Sequence, residues 1–224
     1  MDYVFQFGFV WHEFDRLLLG AWLTVRLAAG AIVFGLIVGL LCAEAKTSRS
    51  PLLRGIVQAY VEAIRNTPFL VQLLLIYLGL PSLGIRLKPD QAALLAMVVN
   101  VGAYATEIVR AGIEAVPRTQ IEAGRALGLK GWQIFRFVVL IPALRAVFPA
   151  LGSQFILIML ASSVVSVISA EELTAVTDMI VARNFRSFEF YLTATGIYLA
   201  MSFGFQAVFG MLDRRLFAHW SKQF

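Results

Sequence analysis

Long apolar runs divide this chain, and short polar stretches separate them. Five runs can cross a bilayer, whose hydrocarbon core of about 30 Å needs about 20 helical residues at about 1.5 Å each. They predict spans at 17–43, 56–80, 91–109, 147–168 and 190–212. Residues 1–16 remain as an N-terminal segment, 110–145 as one long polar connection and 214–224 as a tail. The predicted fold class is therefore all-α integral membrane, with one transmembrane domain over 17–213.

The polar connection is itself patterned. Pro117 favours a helix start, because it lacks a backbone donor and fits the first turn. Ile121 to Leu127 reads as a short helix, with Gly128 placed for a left-handed cap. From Trp132 to Leu140 a helical period resumes, with Trp132, Phe135, Val139 and Leu140 on one side and Gln133 and Arg136 on another. The expectation is a helix, a sharp glycine turn and a second short helix lying against the membrane surface.

Polar positions inside the spans mark candidate chemistry. In the third span Asn100, Tyr104 and Glu107 share one helical face by their i, i+4, i+7 spacing. Ser162, Ser166 and Ser169 repeat that spacing in the fourth, with Ser163 beside them. Two such stripes would suit a hydrophilic path. Serine stripes also permit close helix packing, and Glu107 could simply pair with Arg110. Glu62 and Arg65 are spaced for an internal pair, and Pro68 should kink the second span as a gate or a passive bend.

Charge then sets the direction. The segments after the first and third spans and the tail carry Lys46, Arg49, Arg54, Arg110, Arg118, Arg125, Lys130, Arg136, Arg145, Arg214, Arg215 and Lys222. The alternate segments carry Arg16, Arg86, Lys88, Arg183 and Arg186, so the bias is twelve to five. By the positive-inside rule the N-terminus is expected outside and the C-terminus in the cytoplasm. The outer segments hold Asp2, Glu13, Asp15, Asp90, Glu171, Glu172, Asp178 and Glu189. These acids either carry no topological meaning or form a docking surface for an extracytoplasmic partner.

Composition excludes several classes. The 224 residues are 59% hydrophobic and 15% charged, against roughly 45–50% and about 25% in soluble domains. The net charge of +5 reads as orientation, and no nucleic-acid partner is expected. Cys42 is the single cysteine and His12 and His219 lie near opposite ends, so neither a disulfide nor a metal site is expected. Asp2, Glu13 and Asp15 argue against a cleaved signal peptide. With no phosphate-binding glycine loop and no nucleophile elbow, no catalytic residue is assigned.

The residues Glu122-Ala123-Gly124-x3-Gly128, followed by Val138-x-Leu140, resemble the EAA loop of ABC importer permeases. The run Ala111-Gly112-Ile113 through Pro117, Gln120 and Glu122 is similar to the version in polar amino-acid permeases of the histidine/glutamine type. So are Ile64 to Leu73, Ile76 to Pro81, Tyr104 to Arg110, Val165 to Ile168 with Glu172-Leu173, and Asp213 to Leu216. The resemblance implies the type I ABC importer transmembrane fold in a multi-pass protein of the bacterial inner membrane. It also implies that Glu122, Ala123, Gly124, Leu127 and Gly128 couple to an ATP-binding-cassette ATPase dimer, which would hold ATP and Mg2+. The other implied partners are a second permease copy or sister permease, an extracytoplasmic solute-binding protein and a polar amino acid. Where the family often has a Lys-Asp/Asn-Thr-Ser run, this chain reads Leu160-Ala161-Ser162-Ser163. A substrate-binding subunit and the non-binding half of a heteromeric permease both stay open. A stand-alone secondary carrier is the more distant alternative, since no paired repeat is visible.

Overall fold

A computed structural model describes residues 4–217, and all regular elements among them are helical. Asp2, His219 and Lys222, which enter the sequence-based expectations, lie outside the described residues. Helix α1 spans Gly8–Lys46 and is followed by α2 (Pro51–Arg65) and α3 (Phe69–Gly79). Next come α4 (Pro89–Glu114), α5 (Arg118–Ala126) and α6 (Gly131–Gln133). A π-helical turn at Ile134–Val139 leads into α7 (Leu140–Ala161) and a 3-10 segment at Ser162–Ile168. The chain closes with α8 (Leu173–Asn184) and α9 (Ser187–Phe217).

Among the described residues four rods are long and apolar enough to cross a membrane: α1, α4, the continuous Gly131–Ile168 rod, and α9. The expected second span, 56–80, is not one rod. Helices α2 and α3 pass the same test only as a pair, bent by 110°. The bend sits at Asn66-Thr67-Pro68, where Pro68 is extended (ψ 139°) and its carbonyl accepts from Val71 and Gln72.

Three more boundaries differ from expectation. Helix α1 starts at Gly8, so residues 8–16 are not a separate segment. Val10, Phe14, Leu17 and Ala21 continue one apolar face onto Leu173, Ile180 and Phe190. Helix α4 runs past 109 to Glu114, and the second short helix of the long connection, α6 with the π turn, is not set apart but continues into α7. Helix α9 carries Arg214 and Arg215 in its last turn instead of releasing them into a tail.

The core forms where α1 crosses α4. A Cβ on Gly35 would lie 2.6 Å from Val101, and one on Gly39 would lie 2.6 Å from Ala105 Cβ. These glycines are four apart, one turn of the same face, so the backbones approach as in small-residue membrane interfaces. Leu27, Ala31, Leu73, Met97, Phe155 and Ile158 fill the space around the crossing. The bundle thus has two ends. One gathers Lys46, Arg110, α5 and the start of α7; the other gathers the N-terminus of α1, α8 and the start of α9.

Candidate functional site

The connection between α4 and α7 is a helical elbow with its own small core. Val116, Ile134, Val139 and Ala143 are buried, with Ile121, Leu129 and Val138 against them. Helix α5 ends in a Schellman cap: Leu129 N–H donates to the Gly124 carbonyl at 3.1 Å, and Gly128 N–H donates to Arg125 at 2.9 Å. Gly128 takes φ +76° there, the left-handed region that a side chain disfavours. Gly124 is buried, and a Cβ on it would meet Ile134 at 3.3 Å. The glycine therefore seats α5 against the π turn. Glu122, Ala123, Leu127 and Gly128 form the outer surface, with Leu127 80% exposed.

Trp132 and Phe135 do not share one side with Val139, although the helical period predicts that they do. Trp132 and Phe135 are 61% and 51% exposed, while Ile134 and Val139 are buried. The π turn between them explains the change, since i→i+5 bonding advances the helix by one extra residue. Pro142 follows within one turn. It cannot donate to the Val138 carbonyl and its ring crowds that group, which the widened turn accommodates.

Glu107 is the hub of the same end. Its carboxylate pairs with Lys46 of α1 and with Arg110 at 2.8 Å, while Arg65 of α2 lies at 3.9 Å. Arg110 reaches on to Glu114 at 2.6 Å. The expected pair of Glu107 and Arg110 is present, but the expected pair of Glu62 and Arg65 is not. Arg65 lies over the Tyr104 ring at 5.5 Å, and Glu62 accepts from Gln58. Lys46 and Glu107 are 61 residues apart, so no local spacing rule could have paired them.

Asn100 has a different task from Glu107, although it shares the face. It donates to Gln72 at 3.1 Å. Gln72 in turn donates to the Ile64 carbonyl at 2.7 Å and to the Thr67 carbonyl and hydroxyl, each at 3.0 Å. Thr67 and Asn66 donate back to Ala63 and Glu62. These bonds satisfy the carbonyls that every helix end leaves open, and they fix the α2–α3 corner onto α4. Gln72 carries no spacing signal of its own in the sequence, because it sits in an otherwise apolar run.

The serine stripe does not form as expected. Residues 162–168 are 3-10 helical, so positions three apart share a face. Ser163, Ser166 and Ser169 are the partly open set, while Ser162 is fully buried and donates to Met159 at 2.6 Å. Ser163 and Ser166 donate to Leu160 and Ser163 carbonyls. A polar stripe that spacing could have revealed lies on α2, where Arg54, Gln58, Glu62 and Arg65 are all exposed.

At the opposite end two of the acids expected outside are fully buried, which removes Glu172 and Glu189 from any docking surface. Glu172 caps α8 by accepting from Ala175 N–H at 2.8 Å, and Tyr198 donates to it at 2.6 Å. Burial raises the Glu172 carboxyl above its ordinary range, against the lowering pull of those hydrogen bonds. Glu189 accepts from Gln6 N–H at 3.0 Å. Phe185 ends α8 at φ +55° and is 85% exposed.

Known proteins match this arrangement along nearly the whole chain. A family described as "Binding-protein-dependent transport system inner membrane component" matches residues 32–218. The glutamine transport system permease protein of Escherichia coli (strain K12) is 33% identical over 95% of this chain and 98% of its own. The L-cystine transport system permease protein of Bacillus subtilis (strain 168) is 37% identical over 88% and 85%. Among solved structures, an amino acid ABC transporter with histidines superposes with a TM-score of 0.89 at 35% identity, covering 95% of this chain and all of that one. The inward-facing methionine ABC transporter shares the fold, with a TM-score of 0.75 at 22% identity over 91% of this chain and 97% of that one. The chain belongs to the binding-protein-dependent transport system inner membrane components.

Proposed function

We propose that this chain is the permease subunit of an ATP-driven importer of polar amino acids, with its basic end in the cytoplasm and its N-terminus outside. The observation that carries the reading is the exposed elbow, a rigid cap at Gly128 on a short helix joined to both α4 and α7. A partner that grips Leu127, Glu122 and Ala123 would push on two membrane rods at once.

The chain has no phosphate-binding loop, so the push would come from a separate ATPase dimer that holds ATP and Mg2+. A solute-binding protein would deliver the amino acid at the opposite end. A second permease, identical or a sister subunit, would complete the path. Closure of the ATPases would move the elbows and open the path outward; hydrolysis would reverse it.

The test is the Gly128→Pro variant, whose ring cannot adopt the left-handed cap. It should insert in the membrane yet lose the stimulation of ATPase activity by loaded binding protein. Normal stimulation would contradict the coupling role.

One observation favours the narrower reading, a non-binding half. Asn100 is spent on Gln72, Glu107 on three cations, and Ser162 on Met159. Tyr104, Ser163 and Ser166 keep partial exposure as path candidates. Copurification of a second, different permease in equal amount supports this half; a single permease species opposes it.

A further inference from the structure

A cavity of about 460 Å³ opens at the basic end, bounded by Lys46, Arg54, Gly55, Gln58, Glu107 and Arg110. Three cations reach it from three separate elements: Lys46 from α1, Arg54 from α2 and Arg110 from α4. Its one carboxylate, Glu107, is taken up by Lys46 on one oxygen and by Arg110 on the other. Gln58 donates to Glu62. Arg54 has no ion-pair partner among the described residues. The unspent capacity of the cavity is therefore made of N–H donors and positive charge, which is what an anion needs.

The rest of α2 says which surroundings the cavity faces. Leu52, Leu53 and Ile56 are exposed, on sides of the helix away from Arg54 and Gln58. Exposed apolar side chains beside a basic pocket at a span end place that pocket at a bilayer boundary. Basic pockets between spans on the cytoplasmic side suit anionic headgroups.

We propose that the Lys46–Arg54–Arg110 cavity binds a phosphate-bearing anion, supplied by the headgroup of an anionic phospholipid of the inner leaflet. Arg54 supplies the free guanidinium; Lys46 is held in place by Glu107 and turns its remaining ammonium donors to the phosphate, while Arg110, shared between Glu107 and Glu114, adds positive charge. Gly55 leaves the cavity open, since a Cβ there would meet nothing within 4 Å. The siting at the inner leaflet rests on the orientation given under Proposed function; the phosphate chemistry does not.

The test uses the full-length chain with the subunits that copurify with it, in nanodiscs of phosphatidylcholine with or without phosphatidylglycerol. Lipid retained on the protein is measured by native mass spectrometry. The wild type should retain phosphatidylglycerol, and Arg54→Gln should retain it about fivefold less, as expected for one cation near a charged surface. Arg54→Lys should restore most of the retention. Gly55→Leu keeps every charge but fills the cavity, and it should lose the lipid too. If Gly55→Leu retains lipid like the wild type, surface charge alone is responsible and the site is overturned. Inorganic phosphate that displaces the lipid at millimolar concentration assigns the same chemistry to a soluble anion and overturns the lipid source. Equal retention by wild type and Arg54→Gln overturns the proposal outright. ATP-driven uptake, measured in parallel, judges the permease reading separately.

Discussion

Glu107 and Glu172 are both largely removed from solvent, yet they are stabilised in opposite ways. Glu107 sits among Lys46, Arg65 and Arg110, and its place depends on being charged. No Lys or Arg among the described residues pairs with Glu172, which instead accepts from Tyr198 and Ala175. A carboxyl whose partners are a hydroxyl and an N–H keeps most of its bonds as a neutral amide; one ringed by cations does not. The surroundings of Glu107 are therefore electrostatic, and those of Glu172 are hydrogen bonds and packing.

Substitutions should separate the two carboxyls. Glu107→Gln leaves Lys46 largely buried without its counter-charge, which should cost about 3 kcal/mol or more. Thermal unfolding in detergent should show the largest fall of this set, and adding Lys46→Met, which removes the stranded charge, should recover part of it. An unchanged midpoint for Glu107→Gln would erase the contrast. Gln72→Leu comes next. It strands Asn100 and the Ile64 carbonyl, and about 2 kcal/mol should be lost. Spin labels on α2 and α3 should then report a broader spread of distances across the corner.

Glu172→Gln should be the mildest, below about 1 kcal/mol, because the amide oxygen still accepts from Ala175 N–H and the amide NH2 can donate to the Tyr198 hydroxyl, which can turn to donate to Thr174. The same carboxyl gives a pH signature. Its folded value is raised, so the stability that its neutral form contributes is present in acid and lost as pH rises through that raised value. Wild-type midpoints should fall over that range more than those of Glu172→Gln. Parallel curves would show that Glu172 does not titrate as its burial requires.

The contrast also explains what the sequence revealed. Span existence was legible because hydrophobic length is local and additive, and the elbow was legible because Gly128 and Pro117 act on their own backbone. The 110° corner was only half visible. Pro68 announced a bend, but its angle depends on Gln72 and Asn100, which meet across 28 residues. The phase of Trp132 and Phe135 could not be read, since a π turn changes the period on which the reading depends. The Ser162 stripe failed for the same reason with the opposite sign, a 3-10 segment tightening the period to three. Glu107 was legible, but its partner on α1 comes from tertiary approach through Gly35 and Gly39, and that on α2 from approach beside Gly102 and Tyr60.

The account's central claim is that the Gly128 elbow meets the ATPase. Leu127 and Phe185 are both highly exposed, at opposite ends of the bundle, and Cys42 is the single cysteine to remove first. In a Cys42→Ser background, Leu127→Cys and Phe185→Cys should be treated separately with a short thiol-to-amine crosslinker on the assembled complex. The account predicts an adduct with the ATPase subunit from Leu127→Cys and none from Phe185→Cys. An ATPase adduct from Phe185→Cys alone would contradict both the coupling role of the elbow and the orientation of the chain.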